Sequence, residues 1–253
     1  MQAAYIMNYL NEFMWPFARV TGVFLIAPII GSAYIPLYIK LLFAVIITAF
    51  IFPFIETPKI VDPLSFQAVI IIAQQFMIGL TIGAIVQVAF TAVMIAGENI
   101  AMTMGLGFAH MTDPVNGVTI PVVSQLLTVI ASLFFLALNG HIAILQLLIN
   151  SFLTLPTTEL ISTSTAVAVA EWASRMFIGA VLVSIPAVTA LLVINISMGL
   201  MTRVAPQMNI FSVGFPLTMM LGFIFIAITI PVAMKVFQGL LGQSFERVNI
   251  LFS

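Results

Sequence analysis

Five ionisable side chains stand in or beside apolar stretches of this sequence, and they are the first places to look for chemistry: Glu98, His141, Glu171, Arg175 and Arg203. A charge in an apolar segment is costly enough to mark either a function or a structural pair. Glu171 and Arg175 are spaced i, i+4, which places them on one face of a predicted helix where pairing lowers the cost of burying both, and we read them as a structural pair. His110 and Asp113 share a loop and could touch one ion, whereas His141 stands alone beside Asn139 and Gly140; neither arrangement has the ligand set of a metal centre. Hydrolysis within a membrane would need paired aspartates, a serine–base dyad or an HExxH helix. The chain has only Asp62 and Asp113, both at loop positions, so no catalytic constellation is expected, and no cofactor.

The elements that must position these residues are helices in lipid. Of 253 residues, 62% are hydrophobic and 6% charged, and the mean hydropathy is +1.26. Soluble domains carry roughly a quarter charged residues, so the chain is an integral membrane protein. Its length accommodates several spans of about 20 residues each, as one polytopic unit without a separate soluble domain. A net charge of -1 leaves no basic face for nucleic acid. The absence of cysteine excludes disulfides and thiolate metal sites. Glu12 precedes the first basic residue, Arg19, unlike a secretory signal, so the N-terminus is expected to be retained.

Apolar runs and breakers predict helices over Phe13–Ile30, Leu37–Ile55, Leu64–Ala96, Val118–Leu138, Ile142–Leu155, Ser164–Leu200 and Met208–Met234. Turn signals at Gly31, Glu56, Leu138, Leu155 and Arg203 separate them, so adjacent helices should form antiparallel hairpins. The third and sixth runs, roughly 33 and 37 residues, would reach about 50 and 55 Å against a hydrocarbon core near 30 Å. Either they bend, as Pro186 would allow, or they continue beyond the bilayer against apolar protein; we favour packing in a larger assembly. Gly79 and Gly83 form a GxxxG spacing suited to close approach of a neighbouring helix, and Gln74, Gln75, Gln87 and Asn195 can hydrogen-bond across helices, for assembly or for internal packing. Seven basic residues scattered singly leave the topology open.

More distinctive is MTMGLGFAHMTDPVNGVTIP, from Met102 to Pro121, an apolar loop rich in glycine and methionine. A loop of this composition should be buried in protein or line a cavity, because in lipid its backbone groups would go unpaired. Methionine repacks against many shapes. A flexible plug or gasket fits, as does a buried connector.

The blocks RVTGVFLIAPIIGSAYIP, GENIAMTMGLGFAHMTDPVNG, FFLALNGHIAILQLLINSFLTLP and MGLMTRVAPQMNIFSVGFP, in that order from Arg19 to Pro216, resemble the FliR family of flagellar export proteins, shared with the equivalent subunit of virulence type III secretion. The resemblance implies an all-α membrane protein of long helix hairpins, FliP-like over residues 1–160 and FliQ-like over 161–253, winding into a helical export gate held largely above the membrane plane. It implies one copy assembling with several copies of FliP and FliQ, next to FlhB and FlhA, as a channel subunit for unfolded flagellar proteins in the bacterial inner membrane and flagellar basal body, without catalytic activity. By the same resemblance the loop comprising Gly105, Leu106, Gly107, Phe108, His110, Met111, Asp113, Pro114 and Gly117 corresponds to a pore plug. Arg203, Pro206, Gln207 and Asn209 then lie in the FliQ-like hairpin turn and serve packing and assembly, the role also assigned to Glu98, His141, Glu171 and Arg175. The competing classes are an ion-coupled secondary transporter, for which these few charges are thin support, and a membrane scaffold with no pore.

Overall fold

The computed structural model describes residues 2–55, 65–106, 110–112, 119–155, 163–204 and 210–252; side chains are described from Glu12 onward, outside 110–112, 119–120, 163–164 and 210–213. Its helices are α1 (Gln2–Ile26), α2 (Leu37–Ile51, ending in a 3-10 turn Phe52–Phe54), α3 (Phe66–Thr103), α4 (Val122–Ala137), α5 (Gly140–Thr154), α6 (Thr163–Ala173), α7 (Arg175–Val204) and α8 (Ile210–Leu251). Between α3 and α4 run two short antiparallel strands, β1 (His110–Thr112) and β2 (Thr119–Pro121), with Met111 opposite Ile120. The protein is an all-α membrane protein with this small ribbon inserted. Among the described residues four helical stretches are long and apolar enough to cross a membrane: Leu37–Phe54, Phe66–Thr103, Thr165–Val204 and Gly214–Leu251; a fifth arises if α4 and α5 together count as one span.

Several boundaries differ from the sequence expectation. The first helix begins at Gln2 rather than Phe13 and carries Pro16 inside it. The third runs seven residues beyond Ala96, to Thr103, and α4 starts at Val122 because the preceding residues pair as β2. Within the expected helix from Ser164 to Leu200 a turn at Ser174 separates α6 from α7, and Pro186 lies inside α7. Glu171 lies near the end of α6 and Arg175 opens α7. The last helix passes Met234 and continues to Leu251. Beyond Met234 overall hydropathy falls, but Phe237, Leu240, Leu241, Ser244 and Val248 are all buried. Their spacing is that of one helical face. At 1.5 Å per residue, α3 and α8 reach about 57 and 63 Å, well beyond a hydrocarbon core.

By contacts the chain forms two compact units: residues 1–87, 136–173 and 242–253, and residues 88–135 and 174–241. In the first, α1 lies backbone-to-backbone on α3. A Cβ placed on Gly79 would collide with the Arg19 carbonyl oxygen, one on Gly22 with the Phe76 carbonyl oxygen, and one on Gly83 would stand 3.1 Å from Ala27 N and Val23 O. The GxxxG pair thus serves internal packing, and Gly22 is its reciprocal partner on α1. Trp15, Val20, Val23, Ile78, Ile82 and Ile85 fill the surrounding core.

The second unit is organised by aromatic and small-residue contacts. Phe90 meets the Phe135 and Phe237 rings edge-on, at centroid distances of 5.4 and 5.0 Å, the arrangement ring quadrupoles favour. Gly97 lets α4 approach so closely that an added Cβ would lie 2.5 Å from Ser124 Cα, and Ser124 Oγ donates to the Met94 carbonyl at 3.0 Å.

Gly79→Ala is expected to lower thermal stability in detergent by about 1–3 kcal/mol, since a methyl group must be forced against fixed backbone. Gly199→Ala and Gly239→Ala, where an added Cβ meets nothing within 4 Å, are expected to be neutral or stabilising by up to about 1 kcal/mol through helix propensity. Size-exclusion profiles after graded heating compare the three; a Gly79 variant as stable as the other two would contradict the close-packed contact.

Candidate functional site

At the centre of the first unit sits a fully buried arginine. Arg19, on α1, is 0% exposed, and its guanidinium spends its donors on neutral acceptors only. Nε donates to Gln75 Oε1 of α3 at 2.7 Å. One terminal nitrogen donates to the Ser151 carbonyl at 2.6 Å and to Ser151 Oγ at 3.1 Å, and the other to the Leu155 carbonyl at 3.0 Å. The Phe152 ring covers the charge, with Cζ 4.3 Å from its centroid.

Ser151 lies in the last turn of α5 and Leu155 directly follows it. The Ser151 carbonyl also accepts from the Leu155 N–H at 3.1 Å, and carbonyls at a helix C-terminus carry the negative end of the helix dipole. Arg19 therefore caps α5 from a different helix, and its planar five-donor fork reaches α3 and α5 at once, which a lysine could not do. Such an arrangement clamps helices; it holds no nucleophile, base or open ligand position.

The same solution recurs elsewhere in this unit. Lys40 on α2, largely buried, donates from Nζ to the Gly31 carbonyl at 2.8 Å, securing the turn after α1. Trp172 Nε1 donates to the Ile85 carbonyl at 3.3 Å, and an Arg247 nitrogen to the Ala168 carbonyl at 3.4 Å. Gln75 had been expected to bond across helices. Arg19, Lys40 and Arg247 were missed as site residues, although a lone arginine at the head of RVTGVFLIAP is itself an intramembrane-type charge and signals a buried partner.

In the second unit the end of α3 is held in the same manner. Asn195 Nδ2, on α7, donates to the Thr103 carbonyl at 3.1 Å, and Thr218 Oγ1, on α8, to the Met104 carbonyl at 3.4 Å. Gly105 adopts φ +81, with its N–H on the Met102 carbonyl at 3.1 Å and the Leu106 N–H on the Ala101 carbonyl at 2.9 Å. This is a Schellman stop, in which glycine takes the left-handed position. The loop that begins here thus has a rigid stem at its start and the β1–β2 ribbon further along.

Of the residues singled out for this loop, Gly105 and Leu106 lie at the stop, and His110 and Met111 in β1. Gly107, Phe108, Asp113, Pro114 and Gly117 lie outside the described residues, as do Pro206, Gln207 and Asn209. Glu98 is half-buried on α3; His141 opens α5 after Asn139, whose φ is +57, and its Nδ1 is buried without a hydrogen-bond partner. Glu171 and Arg175 are exposed, and exposed Arg203 occupies the last turn of α7, where its charge complements the helix dipole. No group of three potential metal ligands is found among the described residues.

Helices of this length and apolarity, stitched together through carbonyl acceptors, define a multi-pass α-helical membrane protein. Residues 10–244 match the family described as bacterial export proteins, family 1. The flagellar biosynthetic protein FliR of Escherichia coli strain K12 is 35% identical over 248 residues, covering 98% of this chain and 95% of the relative. FliR of Pectobacterium carotovorum is 35% identical over 95% of this chain and 92% of its own, and FliR of Bacillus subtilis 26% identical over 98% and 97%. The chain belongs to this family of export proteins, whose flagellar members are the FliR proteins. It is a component of the flagellar export apparatus of the inner membrane and not an enzyme.

Removing the Arg19 fork takes a donor from Gln75 Oε1 and from the Ser151 and Leu155 carbonyls, so Arg19→Leu is expected to destabilise the detergent-solubilised protein by about 1–3 kcal/mol. Arg19→Lys should lose less, because a charged donor remains but cannot span both helices. Combining Arg19→Leu with Gln75→Leu should recover part of the loss. Thermal unfolding of the four proteins measures this; a leucine variant as stable as the parent would remove the clamp from the account.

Proposed function

We propose that this chain is a channel-forming subunit of the flagellar type III export gate, assembling as one copy with several copies each of FliP and FliQ and lying next to FlhB and FlhA in the basal body. Unfolded flagellar proteins would pass through the channel they enclose. In this reading residues 1–160 play a FliP-like and 161–253 a FliQ-like part. The observation that carries it is the mismatch between helix length and bilayer: α3 and α8, about 57 and 63 Å long and largely apolar, need a covering other than lipid alone. Phe50, Phe54 and Ile228, exposed to 74%, 81% and 65%, belong to the surfaces such partners would share with lipid.

The loop from Gly105 to Gly117 is the seal of the resting channel. Phe108 and Met111 supply apolar bulk, and the end of α3, tied by Asn195 and Thr218, supplies a fixed stem from which the loop moves. A preference of a few kcal/mol for the closed form suffices to keep the open form at about one per cent or less. Glu98, His141, Glu171, Arg175, Arg203, Pro206, Gln207 and Asn209 serve packing and assembly.

Expressed alone, the chain should aggregate or spread over many sizes in detergent, and co-expression with FliP should raise the monodisperse yield several-fold. A monodisperse monomer obtained equally well alone would contradict the assembly. Deleting Leu106 to Asn116 in an assembled complex is expected to make the inner membrane leaky to small ions, read as loss of membrane potential in growing cells. An assembled deletion complex as tight as the parent would place the seal elsewhere.

A further inference from the structure

Within the second unit, α3 and α7 enclose an open cleft of about 650 Å³ in which Glu98 carries the only carboxylate among the described lining residues. Among the described residues no basic side chain lines this cleft, and none donates to the Glu98 carboxylate or pairs with it. The hydroxyl groups around it have committed their protons inward. Thr103 Oγ1 donates to the Asn99 carbonyl at 2.7 Å, Thr189 Oγ1 to the Ile185 carbonyl at 2.8 Å, and Ser184 Oγ to the Val181 carbonyl at 3.3 Å. Each of these oxygens is left with acceptor lone pairs. Apart from the Asn99 amide, the lining offers acceptors and a negative charge. The rim is apolar: Met102, Val181 and Ile185 are exposed to 58%, 50% and 46%.

We infer that this cleft is a socket for a basic side chain, lysine or arginine, projecting from an apolar helix of another subunit of the export complex. The chemistry is matched at both ends: a long aliphatic stem lies along the apolar rim while its cationic head reaches Glu98 and the hydroxyl acceptors. A half-buried carboxylate with no partner among the described residues is stabilised once such a cation arrives, and the pairing fixes register between helices whose apolar faces alone would slide. Glu98 stands five residues before the end of α3, and Asn195 ties that end to α7, so both walls of the socket are held before a partner docks. The inference rests on the proposed assembly, and its test separates the two.

The test uses the full-length chain co-expressed with affinity-tagged FliP and with FliQ, and reads the amount of chain recovered with the tag. Recovery of the parent chain tests the assembly itself; if none is recovered, both the assembly and the socket are overturned. With the parent recovered, Glu98→Lys is expected to reduce recovery at least tenfold and Glu98→Gln several-fold, with both variants still present in membranes at parental levels. Should the lysine variant fail to accumulate, the near-isosteric glutamine variant decides. A photo-crosslinking residue at position 102 should capture a FliP or FliQ peptide with a lysine or arginine within a few residues of the linkage, and changing that residue to glutamate should restore recovery of Glu98→Lys. Parental recovery of Glu98→Gln, crosslinks to lipid only, or crosslinks to a peptide without a basic residue would overturn the socket while leaving the assembly intact.

Discussion

A buried polar hydrogen donor is costly without an acceptor, and for the buried bases described in this protein the acceptor is most often a main-chain carbonyl. Arg19 shows the constraint at its sharpest: a cation with no exposure, held by an amide oxygen, a hydroxyl and two carbonyls at the end of α5. An ion pair would need a second charge carried out of water, with its own desolvation cost. Helix C-termini already present carbonyls with acceptor capacity to spare and a partial negative charge, so an arginine from a neighbouring helix is held there without a second buried charge. Lys40 on the Gly31 carbonyl and Arg247 on the Ala168 carbonyl follow the same rule. A composition with few acids thus remains compatible with buried bases.

Close approach of backbones makes these bonds reachable. Gly22, Gly79 and Gly83 let α1 and α3 touch along their main chains, which brings Arg19 within range of Gln75. In the second unit Gly97 brings α4 onto α3, and Ser124 uses the proximity to donate to the Met94 carbonyl. Dispersion between densely packed atoms, rather than expulsion of water, holds such contacts in lipid, so one added methyl is felt. The interior is accordingly rigid where glycines cluster, and the outer faces of α2, α7 and α8 remain apolar and exposed.

The end of α3 joins this rigid interior to the loop that follows. Two side-chain donors from α7 and α8 and a Schellman stop at Gly105 terminate the helix. The Glu98 cleft lies in the same part of α3, where a partner's charge would act on a helix whose end is already fixed.

Composition alone established a membrane protein built of helices, because 6% charged residues cannot solvate a soluble surface. The GxxxG pair, the cross-helix roles of Gln75 and Asn195, and the overlong third helix were also legible, each through a local pattern with a direct physical meaning. Hydropathy hid the amphipathic end of α8, since its buried face from Phe237 to Val248 shows only as helical spacing and not as an apolar run. The turn at Ser174 was hidden too, because nothing in that stretch is a strong breaker while Pro186 is. Only the tertiary structure decided what Arg19 does. Its acceptors lie 56, 132 and 136 residues away, and carbonyls are present at every position of every sequence. Which of them a buried cation meets depends on where helix ends come together in space, and no local pattern encodes that.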